Sequence, residues 1–342
     1  MKARLEAGFV RLWWRARPSP LAWALWPLSL LYRALLAVHR WRQAPPTHLP
    51  VPVLVVGNYV VGGAGKTPTV IALVQALQTR GYRPGVISRG HGRRGDGARA
   101  VALGDHPADV GDEPLLLRRR CGVPVWVGAD RTAAGLALCA AQTEVDVLVS
   151  DDGLQHLRLA RQAELVVFDE RGAGNGLLLP AGPLREPLPA TLPADCRVLY
   201  TAGQRSTPLP GALAVRRIHQ AWPLVAWQVG DSTQALPLKA LQGRLLLAAA
   251  GLAAPQKFFH MLAASGLEFK RLPLPDHHSY DTLPWPAHTP DVLVTEKDAV
   301  KLAAHALGDT RVWVVPLDFL LPASLVDELA ALLFAPPAPH LP

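Results

Sequence analysis

Between Leu21 and Val38 the chain is apolar almost without interruption, whereas beyond Val51 short β-branched runs alternate with longer stretches of helical spacing. Ser19 and Pro20 precede the first stretch and read as helix N-cap and first-turn proline. On a helical wheel Ser29, Arg33 and Arg40 fall within about 40° of one another, and Leu, Trp and Ala cover most of the remaining surface. The apolar run is shorter than the roughly 20 residues a span requires, and Pro27 and Arg33 sit inside it. The pattern therefore predicts an interfacial helix over a transmembrane one, with an apolar helix packed on the protein body as the alternative. No small-residue cleavage site follows Val38, which argues against a secretory signal.

Pro45, Pro46, Pro50 and Pro52 mark a stiff linker, after which strands are predicted at 51–56, 84–88, 123–127, 145–150, 164–168, 197–201, 244–250, 291–295 and 311–316. Strands separated by helical stretches are the pattern of βαβ units, so the fold class is α/β with a mainly parallel sheet. The Pro- and Gly-rich segment 202–240 is the expected junction with a second, smaller α/β lobe.

Composition changes the picture at the amino terminus. Half of the 342 residues are hydrophobic and 18% are charged, which excludes a disordered chain. Residues 1–45 carry eight Lys and Arg against Glu6 alone, a local +7 of the chain's +8, so the remaining body is close to neutral. A basic tip containing Trp13, Trp14, Trp23, Trp26 and Trp41 suits an anionic membrane surface, because indoles settle at headgroup level; nucleic acid is not expected as a partner. Cys121, Cys139 and Cys196 show no disulfide or zinc spacing, and a reducing cytoplasm is the default compartment.

Val53–Val56 followed by Gly57 to Pro68 reads as strand, glycine-rich turn and helix start, the context of a P-loop. Gly62, Gly63 and Gly65 leave room for backbone N–H groups to face phosphate oxygens, Lys66 would reach the β- and γ-phosphates, and Thr67 would ligate Mg²⁺. Val60 stands where the strict pattern has glycine. The apolar run Val145–Val149 ends on Ser150, Asp151 and Asp152, placing either aspartate at a strand's carboxyl edge where it can reach the metal. These features predict a P-loop domain that binds a nucleoside triphosphate with Mg²⁺. Arg89 and Arg131 are candidates to neutralise phosphate charge.

Several blocks resemble the tetraacyldisaccharide 4'-kinase family of lipid A synthesis over most of the chain: Gly57-Asn58 with Gly62 to Pro68, Ser88-Arg89-Gly90, Gly111-Asp112-Glu113-Pro114 and Gly128-Ala129-Asp130-Arg131. Asp151 to His156, Leu179 to Pro187, Asp276 to Tyr280 and Thr295 to Ala299 complete the set. Departures are His91 for a common Tyr, Leu154 for a common Phe, and Val60 and Ala64 for Thr.

The resemblance implies transfer of the ATP γ-phosphate to the 4'-hydroxyl of a tetraacylated glucosamine disaccharide 1-phosphate at the cytoplasmic face of the bacterial inner membrane. It implies Asp112 as base near the sugar hydroxyl and His277 as its partner from the other lobe, with Lys66 and Arg131 beside them. Gly62 to Pro68, Arg89 and Gln155 would contact the nucleotide, and Thr67, Asp151, Asp152 and Glu113 the metal. No obligate protein partner is implied. The expected division is a membrane-associated helix at 1–45, a nucleotide-binding kinase domain at 46–210 and a smaller lobe at 211–342. A P-loop switch or chaperone acting on a membrane partner explains the loop and the Asp pair equally well, but leaves Asp112 and the Asp276–Tyr280 block without roles.

Overall fold

In the computed structural model residues 8–334 are described, apart from Val10, His277 and residues 304–306. The first helix, α1 (Pro20–Trp41), begins as expected: Ser19 Oγ accepts from Ala22 N, and Pro20 sits where its missing N–H costs nothing. Its least exposed positions, Ala22, Leu25, Ser29, Tyr32 and Leu36, recur at helical spacing and face the body. Leu21, Trp23, Leu31, Leu35 and Trp41 are exposed. One member of the predicted polar stripe, Ser29, thus turns inward, and apolar side chains dominate the outer surface.

Eight strands build the first sheet: β1 (Val53–Gly57), β2 (Pro84–Ser88), β3 (Arg99–Ala100), β4 (Val125–Val127), β5 (Val147–Asp151), β6 (Ala163–Phe168), β7 (Cys196–Tyr200) and β8 (Ala212–Leu213). Their order is β3-β4-β2-β5-β1-β6-β7-β8, parallel except at the β3 edge. Every residue of β1, β2 and β5 is buried, as expected for strands covered on both faces. α2 (Lys66–Thr79) follows β1, α3 (Pro107–Val110) and α4 (Asp112–Cys121) precede β4, and α5 (Arg131–Ala141) joins β4 to β5.

The second sheet uses β10 (Gln220–Pro223), β11 (Leu236–Pro237), β12 (Leu246–Ala250), β13 (Phe269–Pro273), β14 (Asp291–Thr295) and β15 (Arg311–Val315), in the order β11-β10-β15-β14-β12-β13. Short helices α6 (Leu224–Val229), α7 (Pro255–Ala264) and α8 (Glu296–Ala299) accompany it. The chain crosses between lobes twice, through β9 (Val215–Arg217) and β16 (Asp318–Leu320), which pair antiparallel. The expected junction at 202–240 contains the first crossing. The last helix, α9 (Ala323–Phe334), returns to the first lobe, where Asp327 pairs with Arg80 at 2.7 Å and Phe334 stacks on Tyr82. β8 likewise belongs to the first sheet although it follows residue 210.

Candidate active site

Because β5, β1 and β2 are parallel neighbours, their carboxyl ends bring three sequence-distant segments to one edge. After β1 the chain stays extended through Tyr59 and Val60 before it turns. Val60 bridges Leu184, Val61 N donates to Pro183 O (2.9 Å), and Arg185 N donates to Tyr59 O (2.7 Å). Val60 is buried in this pairing, so the position is extended and needs no glycine. Gly62 and Gly65 do: both adopt φ +88°, and a Cβ on Gly65 would lie 3.1 Å from the Phe319 ring. Gly65 caps α2, and Pro68 in its first turn lacks only an N–H that the helix does not use.

Lys66 Nζ donates to Asn58 Oδ1 (3.2 Å) and lies 3.4 Å from Asp152 Oδ1. The Asp152 carboxylate also meets Arg185 Nη1 at 3.4 Å, and its carbonyl accepts from Arg131 Nη2 (3.3 Å). Arg131 is buried at the start of α5, positioned by the Asp130 N-cap, and its Nε is buried without a partner. Burial and the neighbouring Arg89 push its pKa down, evidence that two cations converge here. Arg171 Nη2 donates to Gly63 O at 2.5 Å from the other side of the loop. Gln155 Nε2 donates to Asn58 O (3.2 Å) and to Glu186 Oε1 (2.9 Å).

Asp151 is fully buried at the end of β5 and accepts weakly from Ser88 Oγ (3.4 Å), while its Oδ1 has no partner. Burial, Glu113 and Asp152 push its carboxyl up to about 7. Burial would raise Glu113 as well, but Lys297, Lys66 and a hydrogen bond to Thr67 hold it below its ordinary value. Thr67, Asp151 and Glu113 thus converge as hard oxygen donors of the kind Mg²⁺ takes, with an unsatisfied buried carboxylate oxygen among them. Among the described residues no group of three or more His, Cys, Asp or Glu side chains forms a metal cluster.

Asp112 starts α4, where Gly111 (φ +94°) crosses close to Gly90. The helix N-terminus favours its negative charge, and Lys301 Nζ from the second lobe lies 3.4 Å from its Oδ2. Lys297 Nζ, also from the second lobe, donates to Glu113 Oε1 (2.7 Å). His277 lies outside the described residues. Sequence reasoning omitted Arg185, Lys297 and Lys301 from the site. Arg185 and Lys297 stand inside the quoted blocks, but about 180 residues separate Glu113 from its lysine, and no local pattern encodes that pairing.

A family model described as tetraacyldisaccharide-1-P 4'-kinase matches residues 21–333. The chain is 54% identical over 328 residues to the tetraacyldisaccharide 4'-kinase of Methylibium petroleiphilum, covering 93% of this chain and 91% of the relative. It is 53% identical to that of Leptothrix cholodnii, covering 96% and 97%. The crystal structure of LpxK from Aquifex aeolicus in complex with ATP superposes with a TM-score of 0.76 at 26% identity, over 92% of this chain and all of that one.

Proposed function

This chain belongs to the tetraacyldisaccharide-1-P 4'-kinase family, and on that premise we propose how its residues divide the work of transferring phosphate. It is an ATP-dependent kinase of lipid A biosynthesis that phosphorylates the lipid A disaccharide precursor. In the proposed reaction the 4'-hydroxyl oxygen bonds to the γ-phosphorus as the bond from that phosphorus to the β,γ-bridging oxygen breaks. The hydroxyl proton passes to Asp112, and the leaving charge resides on ADP.

Such a transfer depends on alignment and on neutralising charge over the γ-phosphate oxygens. The N–H groups of Gly62 to Thr67 and the Lys66 ammonium cradle the triphosphate. Lys66 is already desolvated beside Asn58 and Asp152, so little reorganisation brings it to phosphate. Arg131, Arg89 and Arg185 face the same edge. Thr67, Asp151 and Glu113 would hold Mg²⁺, with Asp152 beside them; bound there, the ion supplies further neutralisation of phosphate charge. Asp112 needs only to accept a proton late in the reaction. Lys301 Nζ lies 3.4 Å from its Oδ2, and His277 would be its partner from the second lobe. The carrying observation is the convergence of Lys66, the Asp151–Asp152 strand end and the start of α4 where the two lobes meet.

The exposed apolar face of α1, with the basic charge around it, supports seating on an anionic membrane surface, and the reducing-compartment cysteines support its cytoplasmic side. The first lobe, completed by β8 and α9, would bind nucleotide, and the second lobe would complete the acceptor site. Transfer of label from [γ-³²P]ATP to purified tetraacyldisaccharide 1-phosphate tests the function. The expected outcome is a labelled lipid that depends on Lys66; ATP hydrolysis without a labelled lipid would point to the switch reading instead.

A further inference from the structure

Resting on the kinase reading, we propose that Tyr32 and Arg40 of α1 are positioning residues for phosphoryl transfer: they hold the 178–186 loop so that Arg185 stays aimed at the P-loop. One helix face fixes this loop at several points. Ser29 Oγ donates to Leu178 O (2.8 Å) and accepts from Ala181 N (3.2 Å), Tyr32 OH donates to Arg185 O (2.7 Å), and Arg40 donates to Glu186. On its other side the same loop is stitched to the extended entry of the P-loop through Tyr59, Val60 and Val61. The loop is therefore clamped between the amino-terminal helix and the phosphate cradle.

The side chains continue the connection. Glu186 accepts from Arg40 on one oxygen and from Gln155 on the other. Gln155 Oε1 accepts from Arg185 Nη1 (3.1 Å), which also reaches Asp152, the partner of Lys66. Glu186 is a largely buried carboxylate, 12% exposed, and such a group requires a cation. Arg40 supplies it. Without Arg40 one alternative is Arg185, the preceding residue, whose guanidinium bonds the same Gln155 that Glu186 holds, and a guanidinium drawn to Glu186 is withdrawn from Asp152 and from phosphate. Tyr32 fixes the backbone from which Arg185 projects. Tyr32 is half-buried against the body and Arg40, 43% exposed, is ion-paired with Glu186, while the exposed Trp23, Leu31 and Leu35 are left unchanged by either substitution, so membrane recovery reads seating separately from turnover.

The test uses the full-length chain in phospholipid–detergent mixed micelles, with steady-state transfer from ATP to tetraacyldisaccharide 1-phosphate. Arg40→Met is expected to lower kcat roughly 10-fold, as misplacement of a charge-stabilising group does, with KM for ATP changed less than about twofold. Recovery in the membrane fraction stays at the wild-type level, and Arg40→Lys restores most of the turnover. Tyr32→Phe lowers kcat in the same direction. Combining Arg40→Met with Glu186→Gln is no worse than Arg40→Met alone, because the uncompensated carboxylate is gone. Normal kcat in Arg40→Met, a loss confined to lipid KM or membrane recovery, or additive effects of Arg40→Met and Glu186→Gln would each overturn the positioning role. A wild-type chain that labels no disaccharide overturns the kinase reading and this inference together.

Discussion

Asp151 ends a buried strand with one oxygen unpartnered, and burial, Glu113 and Asp152 push its carboxyl up to about 7. In the unfolded chain the same group titrates near 4. Between those values the folded protein holds a proton the unfolded chain has lost, so stability of the ligand-free protein falls as pH rises through this window. Glu113 has the opposite sign: its lowered pKa contributes stability already complete above the ordinary glutamate value, so it does not offset the decline between pH 5 and 7. Asp151→Asn is therefore expected to flatten the fall of the urea midpoint over that range in chelator, by on the order of a few kcal/mol. A slope equal to wild type would show that Asp151 is ionised throughout. Asp112 poses a different test, because it stands at the α4 terminus with Lys301 Nζ 3.4 Å from its Oδ2. Asp112→Asn keeps the shape and removes the proton acceptor, so kcat should fall roughly 10²-fold or more with little change in ATP affinity. Near-normal turnover would remove Asp112 from the reaction.

At the scale of elements, the strands that carry the site were the most legible. β1, β2, β5, β6 and β14 lie within two or three residues of the runs their β-branched composition predicts. β3, β8, β9, β11 and β16 were not, since two- and three-residue edge strands hold too few side chains to show a period. β13 was missed for another reason: its Lys270 and Arg271 face outward on an edge, where charge is favoured but hides the strand pattern. Val60 looked like a defect in the P-loop and is instead the residue that pairs with Leu184. The start of α1 was read correctly from Ser19 and Pro20, whereas its inward face was not, because Tyr32 becomes distinctive only against the loop it bonds. Removing residues 1–40 should weaken recovery with membranes while ATP binding, measured by calorimetry, persists, since the P-loop and the β5 end are built without α1. Full retention in the membrane pellet would refute the anchor reading.

For the whole molecule, the question is what holds the second lobe's lysines against the first lobe's carboxylates. α4 answers it at both ends. Its first turn carries Asp112 and Glu113, paired with Lys301 and Lys297, and its last turn carries Arg120. Arg120 donates to Glu296 and to Asp318, each at 2.5 Å, and Glu296 Oε1 also accepts from Trp227 Nε1 (3.1 Å). These acids belong to α8 and to the β9–β16 crossing, so one buried guanidinium ties α4 to the second lobe and to the strands that connect the lobes. The acidic start and basic end of α4 also complement its own dipole, which lets the same charges serve helix and interface. Burial makes this contact asymmetric in its energetics. Removing Arg120 leaves two carboxylates without their shared cation, a loss of about 3–5 kcal/mol, while neutralising all three groups removes the charge imbalance. Arg120→Leu should therefore lower the thermal midpoint sharply, and adding Glu296→Gln and Asp318→Asn should recover much of it. If Arg120→Leu unfolds like wild type, the lobes are held by the apolar core beneath α4 and the ion pairs contribute little.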